Sequence, residues 1–291
     1  MSIDYKTELE LSHLKDVALE RDAENEDEYC IVHDFFGALN QLYFFFEKKP
    51  EFLLKKMKEL YEIIKKNQLP FSESIIQSGI LDFCLDRYCR SHQDSDCGFY
   101  GLLIINYFAH LDGQYCEYII SKNFLDISEI SIRRAFPKFY RVEVDTLNCL
   151  ISHELISHYF CDYKIDIITQ NVRKINDLDT LYIVYDFISS FLQLPKIIEK
   201  SVLDILNLYI IIKEKNDYNS DYSTLYTKKW PEILLKLILT DYFNTDLFFQ
   251  GALFIFYEQN YCNPDYMKTL GVFYTNFISK FPDQRMLLTF N

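Results

Sequence analysis

The amino-acid sequence predicts an all-α fold, specifically a right-handed superhelical α-solenoid of stacked helical repeats. A nine-residue apolar pattern recurs at residues 75–83, 119–127 and 197–205, with a weaker copy at 150–158. The four starts are 44, 31 and 47 residues apart along the chain. A period of about 40 residues between helical segments is typical of a solenoid.

Helix boundaries and the absence of strand patterns support the same class. No segment shows the sustained alternation of apolar and polar residues that indicates a half-buried strand. Proline suits the first turn of a helix, where its missing N–H costs nothing. Prolines stand at five expected helix starts: Pro50, Pro70, Pro195, Pro231 and Pro264.

Length and charge limit the classes of partner. With 291 residues, of which 49% are hydrophobic, the chain forms either two domains or one extended stack, and the repeats favour the stack. The net charge of −13 disfavours broad contact with nucleic-acid phosphate or anionic lipid. The longest run without a charged residue, 97–111, has 15 residues, and a membrane span needs about 18. We therefore expect neither a nucleic-acid partner nor a membrane span.

Cysteine usage indicates a reducing compartment. None of the eight cysteines forms a Cys-x-x-Cys pair, and most stand among apolar residues. Free, buried thiols are the expected state. Because no signal peptide is apparent either, we expect a cytoplasmic or nuclear location, or both.

The N-terminal residues 1–28 differ from the rest of the chain. Between Asp16 and Glu28 there are seven acidic residues and one basic residue. We predict a mobile acidic segment here, within which four leucines before residue 20 would support one helix. An autoinhibitory role is the alternative. Residues 29–291 are then the solenoid.

The segment 70–125 is the clearest repeat unit. It predicts a short helix ending at Gly79, a second helix to about Arg90, and a long helix at 98–111. The interval from Phe124 to Leu150, divided by Pro137, reads as too short for a further full unit. The repeats are therefore expected to be irregular.

These residues resemble the armadillo-repeat family and its HEAT-like relatives. The family ends one helix at glycine in Ile-x-x-Gly-Ala/Ile-Leu, which is similar to residues 76–81. Its long third helix carries Trp-x-x-x-Asn, where this chain has Leu102 and Asn106. The resemblance covers roughly Tyr29 to Lys280 and implies a concave groove, lined by third helices, that binds an extended peptide or a protein.

Five residues are candidates for peptide or protein contacts in such a groove. Asn106 takes the place of the family asparagine, whose amide can both donate and accept hydrogen bonds. Tyr182 and Asp186 form the nearest equivalent pair in the middle of the chain. Phe256 and Tyr257 end a copy of the motif of residues 101–107, although packing between repeats is the alternative for Phe256. Tyrosines supply rigid contact area.

A metal site is the main enzymatic alternative. His153 and His158 are five residues apart, which places them about 140° apart around a helix, so one helix cannot direct both rings to one ion. Cys149 lies four residues before His153, and Cys161 three residues after His158. The sequence contains neither a Gly-rich phosphate loop nor a nucleophile elbow. We therefore expect no catalytic residues, no bound metal and no cofactor.

The sequence thus favours a non-enzymatic scaffold or adaptor. A nuclear-import adaptor of importin-α type is a narrower hypothesis, but such adaptors carry a ladder of tryptophans and this chain has a single one, Trp230. Two further hypotheses are a subunit of a larger assembly and a metal-dependent hydrolase. The sequence leaves the oligomeric state open.

Overall fold

The structure, a computed structural model, is helical throughout the regular elements that it describes. It divides into two compact units, Met1–Ile156 and Ser157–Asn291. The described residues are 8–21, 26–66, 73–91, 95–134 and 137–194, together with isolated positions between 204 and 279. Within these ranges there is no strand, which confirms the predicted all-α class. None of the helices in the described ranges is long and apolar enough to cross a membrane.

The first unit contains nine α-helices within the described residues. A 3₁₀ turn at Pro50–Phe52 leads into the third of them, with proline at its first position. In chain order the helices are α1 Glu8–Arg21, α2 Glu26–Lys48, α3 Leu53–Lys66, α4 Glu73–Gln77, α5 Ile80–Cys89, α6 Ser95–Leu111, α7 Gly113–Ser121, α8 Phe124–Arg133 and α9 Pro137–Ile151.

Two successive segments of this unit share one order of helices. Helices α4, α5 and α6 are short, intermediate and long, and α7, α8 and α9 repeat that order. Gly79, with φ of 80°, joins α4 to α5, and Asn123, with φ of 61°, joins α7 to α8. Both residues occupy the fifth position of the nine-residue pattern. Glycine and asparagine tolerate this left-handed conformation best, so the recurring pattern encodes a recurring helix junction.

Helices α8 and α9 fill the interval 124–150. Pro137 divides this interval, as its position predicts, and is the first residue of α9. The second segment is complete because α7 already begins at Gly113, directly after the turn. The weaker copy at 150–158 does not form the same junction, since α9 ends at Ile151 and turns follow.

The long helices pack side by side in chain order, and buried aromatic side chains fill the space between helices. Helix α6 contacts both α3 and α9. The fully buried Tyr88 of α5 stacks on Phe124 of α8 and Phe139 of α9, with ring centroids 5.9 and 6.2 Å apart. The chain has 25 phenylalanines and 23 tyrosines but only 7 glycines, so large side chains fill most of this space.

Part of the acidic N-terminal segment is ordered as a helix. Helix α1 packs on α2 and α4, and its Leu11 and Ala18 are buried. The leucines of residues 8–21, which indicated one helix in this segment, lie in α1, and its buried apolar side chains pack on the first unit. Residues 1–7 and 22–25 lie outside the described residues.

The second unit contributes two described helices, α10 Asp166–Asn171 and α11 Leu178–Phe191. Asp177 caps α11, since its carboxylate accepts from the Thr180 backbone N–H at 3.0 Å. Phe187 and Phe191 of α11 are fully buried. The repeat predicted at 197–205 lies almost entirely outside the described residues.

Candidate functional site

Asn106 lies on α6 and is held by α9. Its Nδ2 donates to Asp145 Oδ2 and to Thr146 Oγ1, both at 3.0 Å. Both amide hydrogens are therefore used between neighbouring long helices. The side-chain oxygen is the part of Asn106 left to meet an external group, since no donor to it is present among the described residues.

The other predicted contacts fall elsewhere. Tyr182 and Asp186 lie one turn apart on α11, with Tyr182 half-buried and Asp186 exposed. They belong to the second unit, whereas Asn106 belongs to the first. Phe256 and Tyr257 lie outside the described residues. Tyr182 and Asp186 therefore share one helix face within the second unit.

The solvent-facing side of α6 forms a continuous strip, here called the α6 strip. Tyr100 contacts Tyr61 of α3, with ring centroids 5.9 Å apart, and Phe99 contacts Phe139 of α9 at 5.5 Å. The strip therefore lies between α3 and α9. Its members are at least partly exposed: Phe99, Tyr100, Leu103, Asn106, Tyr107 and His110.

Lysines flank the α6 strip on both sides. The Lys58 ammonium lies 5.4 Å from the Tyr100 ring centroid, and the Lys138 ammonium lies 5.3 Å from the Phe99 centroid. Lys138 also pairs with Asp96 at 2.6 Å. The surface therefore combines aromatic faces with charged groups of both signs, the two lysines and Asp96.

Thiol and imidazole groups gather at the C-terminal end of the α6 strip. The ligating atoms of Cys116, Cys149 and His153 all lie within 4.8 Å of one another. Cys116 is on α7 and is buried, whereas Cys149 on α9 and His153 just after it are half-buried. We call these three residues the Cys–His cluster. His110, at the end of α6, lies beside Cys149 and interacts with it electrostatically.

Local sequence explains how these groups meet. Asp112 caps α7, its Oδ1 accepting from the Gln114 N–H at 2.8 Å, so α7 begins immediately after α6 ends. The tight turn brings Cys116 back to the end of α6, where the Cys116 and Cys149 thiols each donate to the Ala109 carbonyl at 3.0 Å. Cys149 and His153 are one helical turn apart.

Gly113 makes room for the imidazole of the cluster. A Cβ atom at this position would lie 3.3 Å from His153 Nδ1, closer than side chains usually approach. The absence of a side chain at the start of α7 therefore lets the His153 ring pack against the backbone.

Neighbouring charges polarise the cluster. The His110 Nε2 atom lies 3.1 Å from Asp145 Oδ2; this hydrogen bond, and a second one to Cys149, raise the pKa of His110 to about 10. Hydrogen bonds from Cys116 and then from His110 lower the pKa of Cys149. The hydrogen bond to Cys149, together with burial, raises the pKa of Cys116.

Sequence spacing indicated only part of this cluster. Cys149 and His153 are four residues apart. The other pair considered as ligands, His158 and Cys161, was expected to face another direction and belongs to the second unit. Cys116 is 33 residues before Cys149, and no local spacing links them. The sequence at Asp112 and Gly113 predicts a turn, but it does not predict that this turn packs against His153.

Two chemical capacities are therefore present in the first unit. The α6 strip can contact apolar and acidic groups of a partner, and the Cys–His cluster offers soft donors for a metal ion. Comparisons of the chain with protein-family models, with curated proteins and with solved structures found no match.

Proposed function

We propose that this protein is a non-enzymatic interaction protein that binds a peptide or another protein on the α6 strip. The first unit would then be part of an armadillo-like α-solenoid. The observation that carries the proposal is the repeated three-helix order, with Gly79 and Asn123 at equivalent junctions. Stacked units of this kind expose their long helices side by side, and such surfaces suit extended ligands.

The chemistry of the α6 strip favours an acidic partner with apolar or aromatic side chains. Leu103 stands at the centre of the strip between two tyrosines, Tyr100 and Tyr107. Tyrosine gives large contact area at low entropic cost. Lys58 provides positive charge beside the Tyr100 ring. Lys138 lies beside Phe99 and is paired with Asp96, which an acidic group of a partner could replace. The Asn106 side-chain oxygen is able to accept from a backbone N–H.

This chemistry separates the proposal from a nuclear-import adaptor. An import adaptor would select peptides rich in lysine and arginine. The lysines beside the α6 strip disfavour such peptides by like-charge repulsion. The two hypotheses therefore predict different peptides: acidic ones for the α6 strip, and peptides rich in lysine and arginine for an import adaptor.

The proposal is tested by selecting peptides from a random displayed library with the full chain. The affinity of selected peptides is then measured for the parent, for Leu103→Glu and Tyr100→Ala in the strip, and for Glu117→Gln on the exposed face of α7. We expect acidic, aromatic peptides, and at least about tenfold weaker binding for the two strip variants, because contacts at the centre of an interface dominate its affinity.

The control Glu117→Gln should bind as the parent does. Circular dichroism must show that each variant keeps the parent's helicity. Failure to select any peptide above background, or equal binding by folded strip variants, would refute the proposal.

A further inference from the structure

We propose that Cys116, Cys149 and His153 bind one zinc ion. Their three donor atoms already lie within 4.8 Å of one another. Two thiolates and one imidazole form a recognised zinc ligand set that leaves one position of a tetrahedron for water or another ligand. Zinc binding at this site does not require peptide binding on the α6 strip.

The geometry is close to what zinc requires. Bonds of about 2.3 Å to sulfur and about 2.0–2.1 Å to nitrogen place tetrahedral ligands roughly 3.5–3.8 Å apart. Each pair of donor atoms therefore needs to close by at most about 1.3 Å from the 4.8 Å limit, which small side-chain rotations can supply. Sulfur and imidazole donors also select zinc over the hard cations magnesium and calcium, which prefer oxygen.

The surroundings provide both a fixed frame and an entry path. Cys116 and Cys149 are fixed on α7 and α9, and Gly113 leaves room for the His153 ring. Cys149 and His153 are half-buried, so an ion can reach them from solvent. His110 lies beside Cys149, and its Nε2 is held 3.1 Å from Asp145 Oδ2; such outer contacts orient metal ligands.

Metal binding has one identifiable cost at this site. Both thiols donate to the Ala109 carbonyl, and these two S–H groups lose their protons when the sulfurs ligate zinc. Because Ala109 is fully buried, the loss of these two donors from its carbonyl is a real cost that zinc coordination must exceed. The bound ion would connect α7 to α9 and so close the second three-helix segment.

The experiment uses the full chain, purified under reducing conditions. Metal is removed with a chelator, and zinc is returned in competition with a chromophoric chelator; cobalt(II) is added in parallel as a spectroscopic probe. We expect one zinc per chain and the charge-transfer absorption of thiolate bound to tetrahedral cobalt. The variants Cys149→Ser, Cys116→Ser and His153→Ala should each weaken zinc binding by more than about tenfold.

Two matched variants serve as controls. Cys89→Ser removes an exposed cysteine of α5, and His158→Ala removes an exposed histidine of the second unit; both should retain zinc stoichiometry and the cobalt spectrum. Because Cys116 is buried, the Cys116→Ser result is used only if circular dichroism shows the helicity of the parent. If that variant does not fold, Cys149→Ser and His153→Ala still test the proposal.

Three results would overturn the proposal. The first is that the reduced, metal-free chain takes up neither zinc nor cobalt. The second is that folded ligand variants bind zinc as tightly as the controls. The third is that mass spectrometry of protein isolated from cells finds a Cys116–Cys149 disulfide in place of metal.

Discussion

At the scale of single residues, Glu143 is a carboxyl group whose environment disfavours ionisation. Its side chain is only 1% exposed, and its Oε1 accepts from the Tyr88 hydroxyl at 2.7 Å. Burial raises the pKa of Glu143 from its ordinary value of 4.5 to about 7, because the low-dielectric interior penalises the charged form.

The raised pKa predicts a pH dependence of stability. Between pH 4.5 and 7 the folded chain keeps the Glu143 proton while the unfolded chain has released it, so the free energy of unfolding falls as pH rises through this window. The total loss is on the order of 3 kcal/mol. Glu143→Gln keeps the buried shape without the charge and should remove this loss, which urea denaturation at several pH values measures.

The exposed Glu117→Gln serves as the control for this prediction. It should keep the parent's decline in stability between pH 4.5 and 7. If Glu143→Gln declines as steeply as the parent, ionisation of Glu143 is not the cause.

At the scale of helices, the junction residue Gly79 requires a conformation that side chains disfavour. Its φ is 80°, while the nearest atom to an added Cβ, Tyr43 Oη, is an ordinary 3.6 Å away. Gly79→Ala should therefore destabilise the protein by about 1–2 kcal/mol through backbone strain alone. Urea denaturation measures this change.

Gly37 provides the matched comparison within a helix. It lies on α2, and an added Cβ would meet nothing within 4 Å. Gly37→Ala should raise stability by about 0.5–1 kcal/mol, because alanine loses less backbone entropy than glycine. Equal effects of the two substitutions would contradict the role assigned to the junction.

The crossing of α5 and α6 depends on close approach of the backbones. A Cβ on Gly101 would lie 2.8 Å from the Cys84 carbonyl oxygen, a backbone atom that cannot rotate away. Gly101→Ala should therefore separate the two helices and lower the free energy of unfolding by about 1–3 kcal/mol. Thermal unfolding checks this, and an increase in stability like that of Gly37→Ala would refute the predicted clash.

At the scale of the whole molecule, the first unit has the contacts expected of an autonomous domain. A chain of residues 1–156 should be helical and unfold cooperatively, because α1–α9 bury their apolar faces against one another. A chain of residues 1–111 lacks Phe124 and Phe139, which stack on Tyr88, and should not fold stably.

Circular dichroism and urea denaturation of the two shortened chains check this prediction. A cooperative transition for 1–156 and none for 1–111 is the expected result. If the chain of residues 1–156 shows no cooperative transition, the first unit needs the rest of the chain to fold, and the prediction that it is an autonomous domain is wrong.

Local features of the sequence predicted the all-α class and the helix junctions of the first unit. The repeated pattern at residues 75–83 and 119–127 predicts both features. Its apolar spacing indicates helices, and Gly79 and Asn123 favour a left-handed backbone conformation that depends only on neighbouring residues. The same local reasoning placed a division at Pro137, which is the first residue of α9. It did not show that α7, α8 and α9 form a second three-helix segment, because that depends on packing of the whole segment.

Only the tertiary structure decided which distant residues meet. Asn106 was predicted from its motif, but its bonds to Asp145 and Thr146 depend on how α6 packs on α9. The Cys–His cluster likewise requires α7 to turn back after Asp112 and α9 to lie beside it. No sequence spacing encodes such meetings, since they follow from the burial of whole helix faces rather than from adjacency along the chain.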